Sequence, residues 1–464
     1  MARAWRPAGL FVVLSLLSGA LTIAATPPLR GADENAHFLR AYGIAQGDIL
    51  TRQSDARGRT GLWLPPSVAS DFSYFDAARE RAFDAARNRE GSADFSYRAV
   101  FKAFSGQAGS VASEPVFKLY GGSEGYSPVS YLPYAAVAGL AKLADLGFLP
   151  MLYLMRAAGL LAATALIAYA IVVTPFLRWL FFAVAMLPSG IFARSVVSAD
   201  GAVLATTLLV VALCLDAAVN GRGGRASRVA WIAVCALTKP PQVVFTLLEA
   251  MVRRIGWRSL LAAAAVVAPA VVLALAWPIV AGTEMAAWRM YEADKVPPEQ
   301  FQIGWKLRYM LAHPLQFPAA MFAGFGDVGE LWPQLVGVLG WLDMRLLPAG
   351  YWVLTVLLIA ACIDRLDVSR EARARIALVA AATTFAYVVL VFALLFITVT
   401  PVPAERVIGT QGRYFIGIVP LLALIAAAFN PFRLPERLQM AAALALALIA
   451  TMATLEAILR VDWS

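Results

Sequence analysis

The chain has 464 residues, of which 60% are hydrophobic and only 15% charged, against about 45–50% apolar and about 25% charged in soluble globular chains. That balance excludes an ordinary soluble enzyme and leaves room for about ten apolar helices of the roughly 20 residues needed to cross a bilayer. The formal charge of +9 is spread as short Arg groups between apolar runs, the pattern of an all-α polytopic membrane protein and not of a nucleic-acid-binding domain.

Residues 10–25 form the first apolar run, after Arg3 and Arg6. Its small terminal residues could serve a signal peptidase, but residues 1–26 are read as an uncleaved signal anchor, which holds the next segment against the membrane. Residues 27–126 read as an outer loop with juxtamembrane helices. The stretch 26–126 carries 12 basic and 12 acidic side chains, the balance of a folded extramembrane loop. Within it, Phe72, Phe75, Arg79, Ala82 and Phe83 predict an amphipathic helix lying on the bilayer surface.

Residues 127–281 read as a transmembrane bundle with re-entrant segments, 282–346 as a second outer loop, and 347–464 as further transmembrane helices. The apolar runs are 150–173, 176–196, 200–219, 229–252, 259–281, 347–363, 376–399, 414–430 and 438–458. With the loops at 174–178, 220–228, 253–258, 364–375 and 431–437 placed inside with residues 1–9, the inner side holds 15 Arg, whereas the short outer segments hold only Arg194, Arg406, Arg413 and Arg460. The positive-inside rule selects this orientation. Segment 229–252 is Arg-rich on both flanks and short for two crossings, so it should enter and return, turning at Thr238-Lys239-Pro240-Pro241. By parity, 128–143 is an outer juxtamembrane or re-entrant helix. Trp288, Trp305, Trp332 and Trp341 in the second outer loop suit the interface. Cys214, Cys235 and Cys362 fall inside apolar runs without paired spacing, which supports neither a disulfide framework nor a zinc site.

The polar residues that could carry chemistry gather at the outer ends. In the segment ADENAHFLRAY, Asp33, His37 and Arg40 recur at helical spacing and share one face; the competing reading makes Asp33 only a helix cap. Ser198-Ala199-Asp200 opens one span and Gln411-Gly412-Arg413-Tyr414 another, while Lys239 sits in the buried turn. A cap and interfacial anchors are the alternatives there.

These segments, ADENAHFLRAY, SPVSYLP, SADG, TKPPQ, GVLGWLD and QGRYF in that order, resemble the bacterial membrane-protein family called domain of unknown function twenty-one forty-two, over about residues 28–415. That family is similar to the GT-C class of glycosyltransferases, which includes the aminoarabinose and protein mannosyl transferases. The resemblance implies a GT-C-like helix bundle in the bacterial inner membrane, with its active site facing the periplasm. It implies a sugar donor on a polyprenyl phosphate carrier and a glycan or lipid acceptor, with membrane lipids as further partners and no nucleic acid. Asp33 and Glu34 would fill the acidic-motif place, and Lys239 and Arg413 would face the lipid phosphate.

For such chemistry Asp33 is the expected base and Glu34 its partner as second carboxylate, with Asp33 and Glu34 also the expected ligands should the pair recruit a divalent cation such as Mg or Mn. His37, Arg40, Asp200, Lys239, Arg413 and Tyr414 are the expected substrate-binding residues, the cations meeting the growing phosphate charge. A transporter or flippase of lipid-linked saccharides, or a polysaccharide polymerase or ligase, stays open as the alternative.

Overall fold

The computed structural model describes residues 2–56, 58–87, 95–106, 114–222, 224–253, 256–281, 296–326 and 328–464. Among them, seven helices are long and apolar enough to cross a membrane: Trp5–Ala25, Phe148–Val173, Ala199–Asn220, Trp257–Ala281, Arg370–Thr398, Gly412–Phe429 and Glu436–Trp463. The chain is an all-α multi-pass membrane protein, with two short antiparallel strand pairs as its only sheet among the described residues.

Helix α1 (Ala2–Ala25) lies within the bundle, where Ser15 shares a 2.8 Å hydrogen bond with Thr164. A cap follows: α2 (Glu34–Ala45), β1 (Gly61–Leu64), α3 (Pro66–Arg87), α4 (Tyr97–Gly106), β2 (Val116–Leu119), a 3-10 turn over Pro128–Tyr131, and α5 (Leu132–Leu143). β1 and β2 pair antiparallel, Gly61 opposite Leu119. The cap has its own core, in which Phe72 and Phe75 of α3 are buried against Phe38 and against Phe148, the first residue of α6 (Phe148–Val173). This corrects the expectation that α3 lies on the bilayer: its aromatic face is spent on protein.

The expected span 176–196 is two short helices, α7 (Arg178–Ala185) and α8 (Pro188–Ser195), broken where Pro188 can start a helix but not continue one. Arg194, counted as an outer residue, instead turns its guanidinium back into the bundle, donating to the Ala185 carbonyl and, at 3.3 Å, to Ser15 Oγ. Carbonyls at the end of α7 are the dipole end that favours a cation.

Helix α9 (Ala199–Asn220) is followed by α10 (Arg225–Thr238), the extended residue Lys239 and a 3-10 run over Pro240–Val252. The chain does return: Arg228 at the start of α10 donates two hydrogen bonds to Glu249 near the end of the 3-10 run, at 2.6 and 2.9 Å. Glu249 is thus the hairpin's staple. The return limb is longer than its residue count suggests, because a 3-10 helix rises ~2.0 Å per residue against ~1.5 Å in an α-helix. The stretched return limb lets the tip reach the end of the bundle where α9 begins.

The bundle continues with α11 (Trp257–Ala281), α12 (Ile303–Ala312), α13 (Gln316–Phe325), α14 (Val328–Gly337) and the hairpin β3 (Val338–Leu339) to β4 (Met344–Arg345). It closes with α15 (Pro348–Cys362), α16 (Arg370–Thr398), a 3-10 run Gly412–Ile418 leading into α17 (Val419–Phe429), and α18 (Glu436–Ile458) with its final turn Leu459–Trp463. Trp288 lies outside the described residues. Trp341 serves the cap, covered by the Arg79 guanidinium at 4.6 Å. Ala25, Asp200, Lys239, Arg413 and Asp462 lie at one end of the bundle, while the hairpin base at Arg228 and the Asp364–Arg433 pair lie at the other.

Neither Gly224 nor Gly256 has a neighbour that an added Cβ would meet, so each tolerates cysteine. In a variant lacking the three native cysteines, Gly224→Cys and Gly256→Cys are expected to react with an impermeant maleimide from the same face of sealed vesicles. Labelling from opposite faces would sink the hairpin assignment.

Candidate functional site

Segments far apart in sequence meet at the tip of the hairpin. Ser198 opens α9 by accepting a hydrogen bond from the Asp200 amide at 3.0 Å. The hydroxyl therefore does the capping, and the Asp200 carboxylate is left for other partners. Lys239 donates to it through Nζ, and Arg413 Nε lies 3.9 Å away.

Side chains from neighbouring elements hold the tip in place. Ser130 donates to the Thr238 carbonyl at 2.8 Å, and Gln242 donates through Nε2 to the Tyr387 hydroxyl at 3.0 Å, which in turn donates to the Tyr414 carbonyl at 2.9 Å. Arg413 is brought in by Gly412, whose amide donates to Gln334 at 2.8 Å and where a Cβ would fall 1.8 Å from the Leu331 carbonyl oxygen. Only glycine fits that approach.

Asp33 stands beside this cluster, next to Arg413. Its backbone is left-handed (φ 53°), its side chain caps nothing, and its carboxylate lies 3.7 Å from Arg413. The reading of Asp33 as a mere cap is therefore removed. Strained conformations of this kind concentrate at functional sites, although Asp tolerates this one better than most residues.

Glu34 is different. Where the Asp33 side chain is 46% exposed, that of Glu34 is 0% exposed. Its two oxygens accept from Arg156 Nε at 2.8 Å and Nη2 at 2.7 Å, and from the amides of Val197 at 2.9 Å and Gly31 at 3.0 Å. That saturates the carboxylate. The expectation that Glu34 acts as second catalytic carboxylate or metal ligand is corrected on this ground.

Two further expectations are corrected. Arg40 is wholly buried and spends four of its five N–H donors on the carbonyls of Tyr126, Asp48 and Ile49, so no pair of donors is left to grip a phosphate. His37 is not on an exposed face: its Nδ1 shares a 2.7 Å hydrogen bond with the Tyr131 hydroxyl and its ring stacks on Tyr126. Burial pushes the imidazole down to about 4, so it is neutral at ordinary pH.

Asp200, Lys239, Arg413 and Tyr414 do come together, lining a cavity of about 270 Å³ with Tyr126, Gln242 and Tyr387. Its other walls are mainly apolar: Val203 and Leu204 of α9, Phe192 of α8, Val391, Leu394 and Leu395 of α16, and the hairpin residues Val338 and Leu339, with Ser189, Ser198 and Thr398 among them. Each carboxylate already faces a cation, and among the described residues no group of three or more His, Cys, Asp or Glu could hold a metal ion. The donor set does not fit the divalent cation expected at Asp33 and Glu34. Arg413 Nε is buried and makes no hydrogen bond among the described residues; a buried unmet donor is costly until an acceptor arrives.

Tyr126, Gln242, Tyr387 and Arg156 were not singled out from sequence. Tyr126 stands directly before SPVSYLP and Gln242 closes TKPPQ, while Tyr387 and Arg156 are polar residues inside apolar runs, the signal that could have flagged them.

Two stability predictions follow from these environments. Glu34→Ala leaves a buried guanidinium unpaired and is expected to cost about 3–5 kcal/mol, whereas Asp33→Asn, at an exposed left-handed position, should stay within about 0.5 kcal/mol of wild type. Thermal melts in detergent compare them, and equal losses would refute the division of roles. For His37, the unfolded imidazole titrates near 6.5 and the folded one near 4, so its stability contribution is complete above about pH 6.5. It is lost as the pH falls toward 4, by about 3 kcal/mol in all. His37→Gln is expected to flatten that acid limb, and an unchanged limb would contradict it.

The model of a family described as predicted membrane protein (DUF2142) matches residues 16–422. No curated protein and no solved structure matches the chain.

Proposed function

The chain belongs to this family of predicted membrane proteins, and we propose that within it the protein is a glycosyltransferase moving a sugar from a polyprenyl phosphate carrier to a cell-envelope glycan or lipid acceptor. One observation carries the reading: Lys239 and Arg413 stand beside Asp200 at the charged end of a cavity whose remaining walls are mainly apolar. A ligand complementary to both parts is an amphiphilic anion, and a lipid phosphate is one.

In the reaction, an acceptor hydroxyl attacks the anomeric carbon of the carried sugar. The new glycosidic C–O bond forms as the C–O bond to phosphate breaks, the hydroxyl proton passes to Asp33, and the lipid phosphate leaves with the bonding electron pair. Asp33 suits the base because its carboxylate is the half-exposed one and lies beside Arg413. Arg413 and Lys239 meet the leaving charge, Arg through planar paired donors and Lys as a point charge. Asp200 faces both cations and holds them at the same end of the cavity. The Arg distribution favours the bacterial inner membrane with this end toward the periplasm.

A polymerase or ligase would use the same lipid phosphate and the same residues, differing only in the size of the transferred glycan. A transporter or flippase has less support, because the ionisable cluster gathers at one end of the bundle and not near the midplane.

Mass spectrometry of surface glycans from cells with and without the protein is expected to show loss of one glycosyl modification. In nanodiscs, Asp33→Asn should lower transfer about 10²- to 10⁴-fold, and Arg413→Lys should weaken donor use less than Arg413→Ala. Wild-type transfer by Asp33→Asn would remove the base assignment. Donor dependence unaffected by either Arg413 substitution would remove the phosphate site.

A further inference from the structure

Two residues of the ADENAHFLRAY segment, His37 and Arg40, have no place in the chemistry above, yet both are buried and both end on the same residue. Arg40 donates to the Tyr126 carbonyl through Nε at 3.3 Å and Nη2 at 3.0 Å. The His37 ring stacks on the Tyr126 ring, centroids 5.9 Å apart and planes 16° from parallel. Tyr131 fixes the His37 ring in turn, through the 2.7 Å hydrogen bond at Nδ1. Ser123 adds a third tie between this loop and α2, donating to the Ala36 carbonyl at 2.7 Å.

What these ties hold is a wall of the cavity. Tyr126 lines it, and the Lys239 ammonium lies 5.4 Å from the centre of its ring. The Tyr414 ring stands 5.8 Å from the same ammonium. Lys239 is thereby confined between two aromatic faces while Asp200 draws its Nζ. Because Lys is a flexible point charge on a four-carbon stem, its position at the hairpin tip needs such confinement, and an ammonium over a ring face within about 6 Å is attracted by the ring quadrupole.

We infer that Tyr126 is a positioning residue for Lys239, and that His37 and Arg40 act on the site only through it: His37 sets the angle of the Tyr126 ring and Arg40 sets its depth. The functional consequence, correct placement of a cation for the ligand phosphate, rests on the lipid-phosphate reading; the confinement of Lys239 does not. The ring face matters and the Tyr126 hydroxyl does not, which separates Phe from Leu as replacements.

The test reads Lys239 directly. The full chain in nanodiscs is treated with a lysine-acylating reagent, and modification of Lys239 is followed by peptide mass spectrometry, with exposed Lys102 as internal reference and size-exclusion profile as the check on folding. Tyr126→Leu and His37→Ala are expected to speed Lys239 modification about threefold to tenfold, while Tyr126→Phe and His37→Phe, which keep a ring in place, hold the wild-type rate. A wild-type rate in well-folded Tyr126→Leu overturns the inference, as does equal acceleration by Phe and Leu. If Tyr126→Leu fails to fold, the comparison of His37→Phe with His37→Ala decides the matter in the same way. Binding of farnesyl phosphate to the wild-type protein is measured in parallel. Its absence counts against the phosphate reading and leaves the labelling result standing, whereas binding with unchanged labelling rates counts against the relay alone.

Discussion

The buried pair between Glu34 and Arg156 is the constraint on which the site end of the molecule depends. One carboxylate joins three segments: it takes the Arg156 guanidinium from α6, the Val197 amide just before α9 and the Gly31 amide of its own turn. The same guanidinium reaches the carbonyls of Thr26 and Pro27, where the chain leaves α1. Inside a protein an ion pair costs heavily in lost hydration, and only a fully satisfied geometry offsets that cost. Here it is satisfied, and the result is positional. Asp33 is set one residue before Glu34 and Asp200 three residues after Val197, so the two carboxylates that face Arg413 descend from a single buried knot.

The knot is extended on either side by ties of the same kind. Arg30, fully buried, donates to Asp462 and Asp343 at 2.8 Å each, linking the first loop to the last turn and to the β3–β4 hairpin that walls the cavity. Burial opposes its charge but the two carboxylates outweigh it, holding the guanidinium above its ordinary range. On the other side, Gln242 and Tyr387 fasten the tip of the α10 hairpin to α16. The cavity is thus framed by several buried polar contacts on rigid elements, the arrangement that keeps functional side chains within a narrow range of positions.

Charge within the frame is balanced: Lys239 and Arg413 face Asp200 and Asp33. The balance explains how four ionisable groups can lie together beside apolar helices, since an uncompensated charge there would be expelled or neutralised. It also leaves the site responsive. The Arg413 contacts, at 3.7 and 3.9 Å, are looser than a hydrogen bond, so its two carboxylate partners grip the guanidinium only weakly.

Much of this was legible in residue order alone. Apolar length reports the spans, the Arg groups report which loops share a side, and Pro240-Pro241 after Lys239 reports the break at which α10 ends, because each follows from a local property of the chain. Asp33, Asp200, Lys239 and Arg413 stood out as ionisable residues beside apolar runs, which is also local. What no local property encodes is a partner. Glu34 and Asp33 are adjacent acids in one motif, and only Arg156, distant in sequence, decides that Glu34 is locked in the interior while Asp33 stays half-exposed beside Arg413. His37 and Arg40 share the helical face of Asp33, yet the loop at Tyr126 turns them from a solvent face into the supports of an aromatic wall. Pairing of buried polar groups is settled by whichever donors and acceptors the folded backbone brings within reach, and that reach exists only in the tertiary structure.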